Sequence, residues 1–243
     1  MTETKLKLEY SVTEESGGIP VIIVAAGNST RMQGVNKQFV EIAGVPVIAR
    51  TLLAFENSGH VSEIILVTRQ EDILNLELLA EKYGISKLKD IVKGGNSRQE
   101  SVLNGFAMLR TDTESVLIHD GARPFVSESI ICSVVETLSK CDAVTCAVKV
   151  KDTIKQIDQN GKVIKTLDRN ELVAVQTPQG VKVKKYLEAA EKLGDVSTFT
   201  DDTSIMESAG DEVYTVEGSY KNIKITTRED TLAAEKFIDE VEE

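Results

Sequence analysis

No apolar run in this 243-residue sequence approaches the roughly 20 residues that a membrane-spanning helix needs. The opening Met-Thr-Glu-Thr-Lys-Leu-Lys-Leu-Glu is charged throughout and lacks the apolar stretch of a signal peptide, so a cytoplasmic protein is expected. Basic charge is also scarce: 28 Lys and Arg stand against 39 Asp and Glu, a net charge of −11. Such a chain has no broad attraction for a nucleic-acid backbone or an anionic membrane. Anionic ligands must then be held by locally placed Arg, Lys and backbone amides. Cys132, Cys141 and Cys146 make an odd count without paired-ligand spacing, which argues for reduced core thiols over a zinc site or a disulfide framework. Internal repeats and low-complexity tracts are missing as well.

What is present is 41% hydrophobic residues, enough for a core without disulfides or a structural metal. Residues 1–18 end in Glu-Glu-Ser-Gly-Gly and read as an irregular leader, followed by one domain over 19–243. Ile19 to Ala26 reads as a buried strand. Strands are then expected at Ser62–Thr68, Asp90–Val92, Ser115–His119 and Asp142–Val148. Helices alternate with them at Val47–Glu56, Asp72–Tyr83, Arg98–Leu109 and Glu128–Leu138. This alternation predicts an α/β fold, a Rossmann-like, mostly parallel sheet with helices on both faces. Such sheets bind ligands beyond the carboxyl ends of their strands.

Between about 151 and 176 the pattern changes. Thr153–Ile157 and Val163–Thr166 flank Gln159-Asn160-Gly161, where Asn-Gly suits a hairpin turn. The hairpin is short and half-polar, hence poor at stabilising itself. It reads as an arm that projects and packs on a second subunit; folding back on its own domain is the alternative. Helices near Val183–Lys192 and Thr203–Ala209 follow, then a strand pair at Val213–Val216 and Ile223–Thr226, and a terminal helix from Glu229.

Four candidate motifs fall at strand ends. In Val24-Ala25-Ala26-Gly27-Asn28-Ser29-Thr30-Arg31, small residues let a ligand approach the backbone, and Gly27 permits a turn whose amides face phosphate oxygens. Arg31 can grip two phosphate oxygens, and Lys37 adds a point charge. The loop is neither a Walker loop nor a dinucleotide fingerprint. Gly94-Gly95 offers bare backbone to a ligand, with the Ser101 hydroxyl on the next helix; a plain strand-to-helix turn would also explain the two glycines. Asp120, just past an apolar strand, can hold Mg²⁺, which takes only one or two protein carboxylates beside substrate phosphates. Arg123 can meet a second anion or simply pair with Asp120. Lys224, on what reads as a late apolar strand, suits a phosphate or an edge-strand gatekeeper. Asp201 and Asp202 are explained by helix capping, and His119 is read as structural.

The first loop resembles the signature of nucleotidyltransferases that activate sugars and polyols. Further stretches narrow the resemblance to the 2-C-methyl-D-erythritol 4-phosphate cytidylyltransferase family. They are Gly94-Gly95-Asn96-Ser97-Arg98, His119-Asp120-Gly121-Ala122-Arg123-Pro124, Lys151-Asp152-Thr153, Asp168-Arg169, Thr177-Pro178-Gln179, Thr200-Asp201-Asp202 and Asn222-Ile223-Lys224. They stand in the family's order from Ile19 to the terminal helix. Ser29, Asn36 and Gly121 depart from its usual loop spelling without removing a charge.

The resemblance implies transfer of a cytidylyl group from CTP to a polyol phosphate, with Mg²⁺, in isoprenoid precursor synthesis. It implies that Gly94, Gly95 and Ser101 read cytosine, and that Ala25, Ala26 and Gly27 line the nucleotide site. Thr153 and Arg169 would reach across a homodimer interface to the polyol phosphate, while Thr177 re-enters the main domain near the substrate. Arg31, Lys37, Arg169 and Lys224 are the expected catalytic cations. Three readings compete: ribitol 5-phosphate as the acceptor, a uridylyl- or guanylyltransferase, and a non-catalytic nucleotide-binding protein. The last would be expected to have lost Arg31, Lys37 or Asp120.

Overall fold

The computed structural model describes residues 18–27 and 36–242, with side chains up to 238. Residues 1–17 of the expected leader, together with Ser29 and Arg31, lie outside the described residues. The strands are β1 (Ile19–Val24), β2 (Glu41–Ile42), β3 (Val45–Pro46), β4 (Val61–Thr68), β5 (Leu88–Lys93), β6 (Ser115–Asp120), β7 (Ala143–Lys149), β8 (Lys155–Ile157), β9 (Val163–Thr166), β10 (Val173–Lys182) and β11 (Val213–Glu217). The helices are α1 (Val47–Glu56), α2 (Ile73–Tyr83), α3 (Arg98–Phe106), α4 (Glu128–Leu138), α5 (Val183–Leu193), α6 (Thr203–Ala209) and α7 (Arg228–Glu242).

Seven strands form the central sheet in the order β11-β7-β10-β6-β1-β4-β5. All pairs are parallel except those of β10, which is antiparallel to both β6 and β7. Side chains of a strand alternate between faces, and the core divides accordingly. Val21 and Ile23 of β1 join Leu52, Phe55, Leu76 and Ile131 from α1, α2 and α4. Ile22 packs oppositely, with Val102, Phe106, Tyr186 and Met206 from α3, α5 and α6. Both layers of the α/β reading are therefore present, and α7 closes a third cluster through Ala234, Ile42, Val47 and Ile225.

Three expectations are corrected. Val173–Lys182 was not anticipated as a strand, because Pro178 cannot donate to a ladder. The strand accommodates it where its register against β7 shifts, between Val175 and Gln179. Ile223–Thr226 is irregular and does not pair with Val213–Glu217, which instead lies parallel to β7 at the sheet edge. Of the cysteines, Cys146 alone is in the core as a fully buried residue; Cys132 and Cys141 are half-buried. Burial pushes the Cys146 thiol up to about 12.

The hairpin forms as β8 and β9, both exposed along their whole length and paired only with each other. Its turn differs from an Asn-Gly turn with two left-handed residues. Gly161 takes positive φ (81°), while the Asp158 carboxylate accepts from the Asn160 and Lys162 amides at 2.9 Å each.

Candidate active site

Three loops leave the carboxyl ends of neighbouring strands and meet. Val24 of β1 lies in register with Asp120 of β6, and the Gly121 amide donates to the Val24 carbonyl at 2.9 Å. The Gly94 amide donates to the Thr68 carbonyl at 2.7 Å, tying the loop after β5 to the end of β4. A Cβ on Gly94 would stand 2.3 Å from the Ala26 Cβ, so glycine is required for the two loops to touch. At Gly27 an added Cβ meets nothing within 4 Å; that glycine is not there for packing.

The meeting point is a cavity of about 280 Å³ lined by Ala26, Gly27, Lys37, Gly95, Ser101 and Asp120 among others. Ala25 sits behind the wall, buried, with its amide given to the Val67 carbonyl at 2.7 Å. The Ala26 and Gly27 amides have no hydrogen-bond partner among the described residues. Lys37 opens a short 3₁₀ turn capped by Asn36, whose side chain accepts from the Gln38 amide at 3.2 Å and donates to Asp72 at 2.9 Å. The amides of Gly94 and Gly95 are not bare. Gly95 donates to Ser101 Oγ at 3.0 Å, and that hydroxyl donates onward to the Ser97 carbonyl at 2.8 Å. These two glycines thus shape the wall and leave carbonyls for recognition.

A second cavity, about 440 Å³, is lined by Arg123, Thr177, Asp201 and Glu207 among others. Arg98, Asp120 and Lys224 line both cavities and form the partition between them. Asp120 Oδ2 lies 2.7 Å from Lys224 Nζ and 3.6 Å from Arg123 Nε, and Oδ1 lies 3.2 Å from Arg98 Nε. Burial alone would raise the Asp120 carboxyl; Arg98, Lys224 and Arg123 outweigh it and hold the group well below the usual carboxylate range. Burial in turn lowers the Arg123 guanidinium.

Arg98 and Asp202 are site residues that sequence reasoning passed over. Asp202 is wholly buried and lies 2.7 Å from Arg98 Nη2, which ties α6 to α3. Burial would lower the Arg98 guanidinium, but Asp202 and Asp120 hold it above its ordinary value. Its Nη1 is buried without a partner among the described residues. Asp201 alone caps α6, accepting from the Ser204 amide at 3.1 Å. The surplus second acid was the available signal. Gln179 completes this wall: its oxygen accepts from the Asp202 and Thr203 amides at 2.9 and 3.1 Å, and its nitrogen donates to Asp201 at 2.8 Å.

Lys224 belongs to an irregular segment rather than a strand. Arg123 Nη1 donates to the Asn222 carbonyl at 2.8 Å, and the Ile225 amide to the Ala122 carbonyl at 2.8 Å. The segment is therefore held by the turn after Asp120. Thr153 and Arg169 line neither cavity of this chain. Both are exposed on the arm, where Arg169 donates to the Lys151 carbonyl at 3.1 Å. Among the described residues no group of three His, Cys, Asp or Glu is placed to hold a metal, and no helix is long and apolar enough to cross a membrane.

A largely parallel sheet with small-residue loops and a cation-ringed aspartate at its carboxyl ends suits a phosphate-bearing ligand of an α/β protein. A family model described as IspD, 2-C-methyl-D-erythritol 4-phosphate cytidylyltransferase, matches residues 19–240. A relative of that name from Halalkalibacterium halodurans is 46% identical over 224 residues, covering 91% of this chain and 97% of its own. Another from Clostridium tetani is 40% identical over 240 residues, covering 98% and 96%. The crystal structure of 4-diphosphocytidyl-2C-methyl-D-erythritol synthase from Anaerococcus prevotii matches with a TM-score of 0.82 at 35% identity, over 91% of this chain and 96% of that one. The chain belongs to the 2-C-methyl-D-erythritol 4-phosphate cytidylyltransferase family.

Proposed function

We propose that this chain couples CTP to 2-C-methyl-D-erythritol 4-phosphate, giving the CDP-polyol and pyrophosphate in isoprenoid precursor synthesis. The observation that carries the reading is the partition of Arg98, Asp120 and Lys224 between two cavities. It suits two anionic substrates that must meet across one cationic wall. A phosphate oxygen of the polyol phosphate forms a bond to the α-phosphorus of CTP. The bond from that phosphorus to the bridging oxygen breaks, and pyrophosphate leaves with the electron pair. A phosphate nucleophile is already anionic at neutral pH, so no general base is needed. The barrier is repulsion between anions and charge growing on the α-phosphate, which preorganised cations lower. Lys37 and Arg31 serve the triphosphate, Lys224 the transferred phosphate and Arg123 the acceptor.

Magnesium fits this donor set. Asp120 is the one carboxylate lining the first cavity among the described residues, and it would hold the ion through an oxygen that Lys224 Nζ now meets at 2.7 Å, so the ion would take the place of that ammonium. When bound, the ion neutralises triphosphate oxygens.

The active form in this reading is a homodimer in which Thr153 and Arg169 complete the partner's acceptor site. The exposed apolar side chains Ile157, Val163 and Ile164 on the arm and Val173 and Val175 at its base support it. The cytoplasmic setting is carried into this proposal, supported by three free cysteines.

The test is pyrophosphate release with Mg²⁺ and CTP, comparing methylerythritol phosphate with ribitol 5-phosphate, and UTP and ATP with CTP. Release confined to CTP and methylerythritol phosphate is expected. Preference for ribitol phosphate would move the acceptor assignment, and CTP binding without turnover would favour a nucleotide-binding protein.

A further inference from the structure

His119 immediately precedes Asp120, is completely buried, and has no part in the reaction just described. Its neighbours on a strand point to opposite faces. Asp120 faces Arg98 of α3, whereas the imidazole packs edge-on against Phe55 of α1, with ring centroids 4.8 Å apart. Packing alone would be served by any ring of that size. The hydrogen bonds say more.

Nε2 lies 3.2 Å from the Arg123 carbonyl oxygen. A carbonyl only accepts, so Nε2 carries the hydrogen. Nδ1 is then a lone-pair acceptor, and the Thr177 hydroxyl, 3.1 Å away, donates to it. With its hydrogen committed, Thr177 Oγ1 accepts from the Asp120 amide at 3.0 Å. The Arg123 amide donates to the Asp120 carbonyl at 3.0 Å, which closes the circuit. Every polar atom in this ring has one direction only. The imidazole is wholly buried with an uncharged partner at each nitrogen, a carbonyl and a hydroxyl, which suits the neutral ring that donates and accepts at once.

The ring encloses the turn Asp120–Arg123 and fastens it to Thr177. That turn carries Asp120 and Ala122 of the first cavity and Arg123 of the second; Thr177 lies on β10, the strand through which the chain returns from the arm. We infer that His119 is a positioning residue: a neutral Nε2–H imidazole that locks the Asp120–Arg123 turn to Thr177 and so fixes the carboxylate and the acceptor-side arginine relative to each other. The inference rests on the cytidylyltransferase reading, because positioning has meaning only for a site that turns over.

Two measurements test it. His119→Phe keeps an aromatic ring against Phe55 and removes both hydrogen bonds. Under saturating substrates kcat should fall by about 100-fold, the loss expected for a misplacement near 1 Å, with the protein still folded at the assay temperature. His119→Asn and His119→Gln, which return one donor–acceptor pair at either ring position, should recover part of it. Unchanged kcat and KM in folded His119→Phe would overturn the inference and leave packing alone. Should His119→Phe fail to fold, ¹⁵N NMR of the wild-type imidazole decides. An Nε2–H tautomer at pH 7.5 is expected; an Nδ1–H tautomer overturns it. A wild-type protein inactive with CTP and methylerythritol phosphate sinks the underlying reading instead, while the tautomer still reports on the circuit.

Discussion

The centre of the sheet and the hairpin arm treat charge and burial in opposite ways. Around Asp120 one buried anion is met by three cations within 3.6 Å, which leaves positive charge in excess. On β8 and β9 each apolar residue is exposed, and among the described residues Arg169 finds only a backbone carbonyl. The first region is finished within one chain. The second has the composition of a surface that something else covers. Residues read from the same family resemblance therefore divide into those one chain assembles and those it holds out.

The sharpest way to break this contrast is Asp120→Ala. It strands Arg123 and Lys224 as like charges and leaves Arg98 to Asp202 alone. Activity should fall by at least about 10³-fold, and unfolding free energy by on the order of 3–5 kcal/mol, read by pyrophosphate release and urea titration. Retained stability would mean that the cations are solvated and the site more open than its burial states.

Next comes the arm. Arg169→Ala should lower activity by about 100-fold through lost positioning, yet shift stability by less than about 0.5 kcal/mol, as at other exposed sites. Mixing it with a Lys37→Ala chain should restore activity to the heterodimer if sites are shared. No recovery under verified subunit exchange would return the arm to its own domain.

The last effect is a slope. His119 has its folded pKa at about 3, below its ordinary value near 6.5. Between those limits the unfolded chain binds a proton that the folded chain refuses, so stability falls as pH drops through that window, by about 1.4 kcal/mol per pH unit. Asp120, depressed in the fold, adds its own loss only below about pH 4. Urea titrations from pH 7 to 4.5 should show the slope in the wild type and its absence in His119→Phe. A wild-type curve flat down to pH 4.5 would mean that water reaches the ring.

The alternation of strands and helices was legible because burial on two faces writes itself into apolar runs. Ile223 to Thr226 shows where that reading stops. Ile225 lies in the core and Lys224 reaches Asp120, the opposite facing that a strand would give them, but the backbone bonds go to the Ala122 turn and to Arg123 rather than to a ladder. Periodicity reports which way side chains point, not what the backbone pairs with. Asp120, Lys37, Ala26 and Gly27 were legible as residues gathered at strand ends, and they line one cavity. Arg98 and Asp202 were not, because they sit 104 residues apart and their pairing exists only once α3 and α6 pack on one face. Arg31 lies outside the described residues, and its role stands as sequence and family resemblance present it.

The antiparallel strand β10 has a consequence for how the molecule is made. It is the sole link in the sheet between the β6-β1-β4-β5 half and the β7-β11 half. A chain leaving the ribosome therefore offers β6 with one bare edge and β7 with two until residues 173–182 have followed the arm out. Bare strand edges are templates for other chains. The arm's length thus sets how long β6, and the edge of β7 that β10 covers, stay open to the wrong partner.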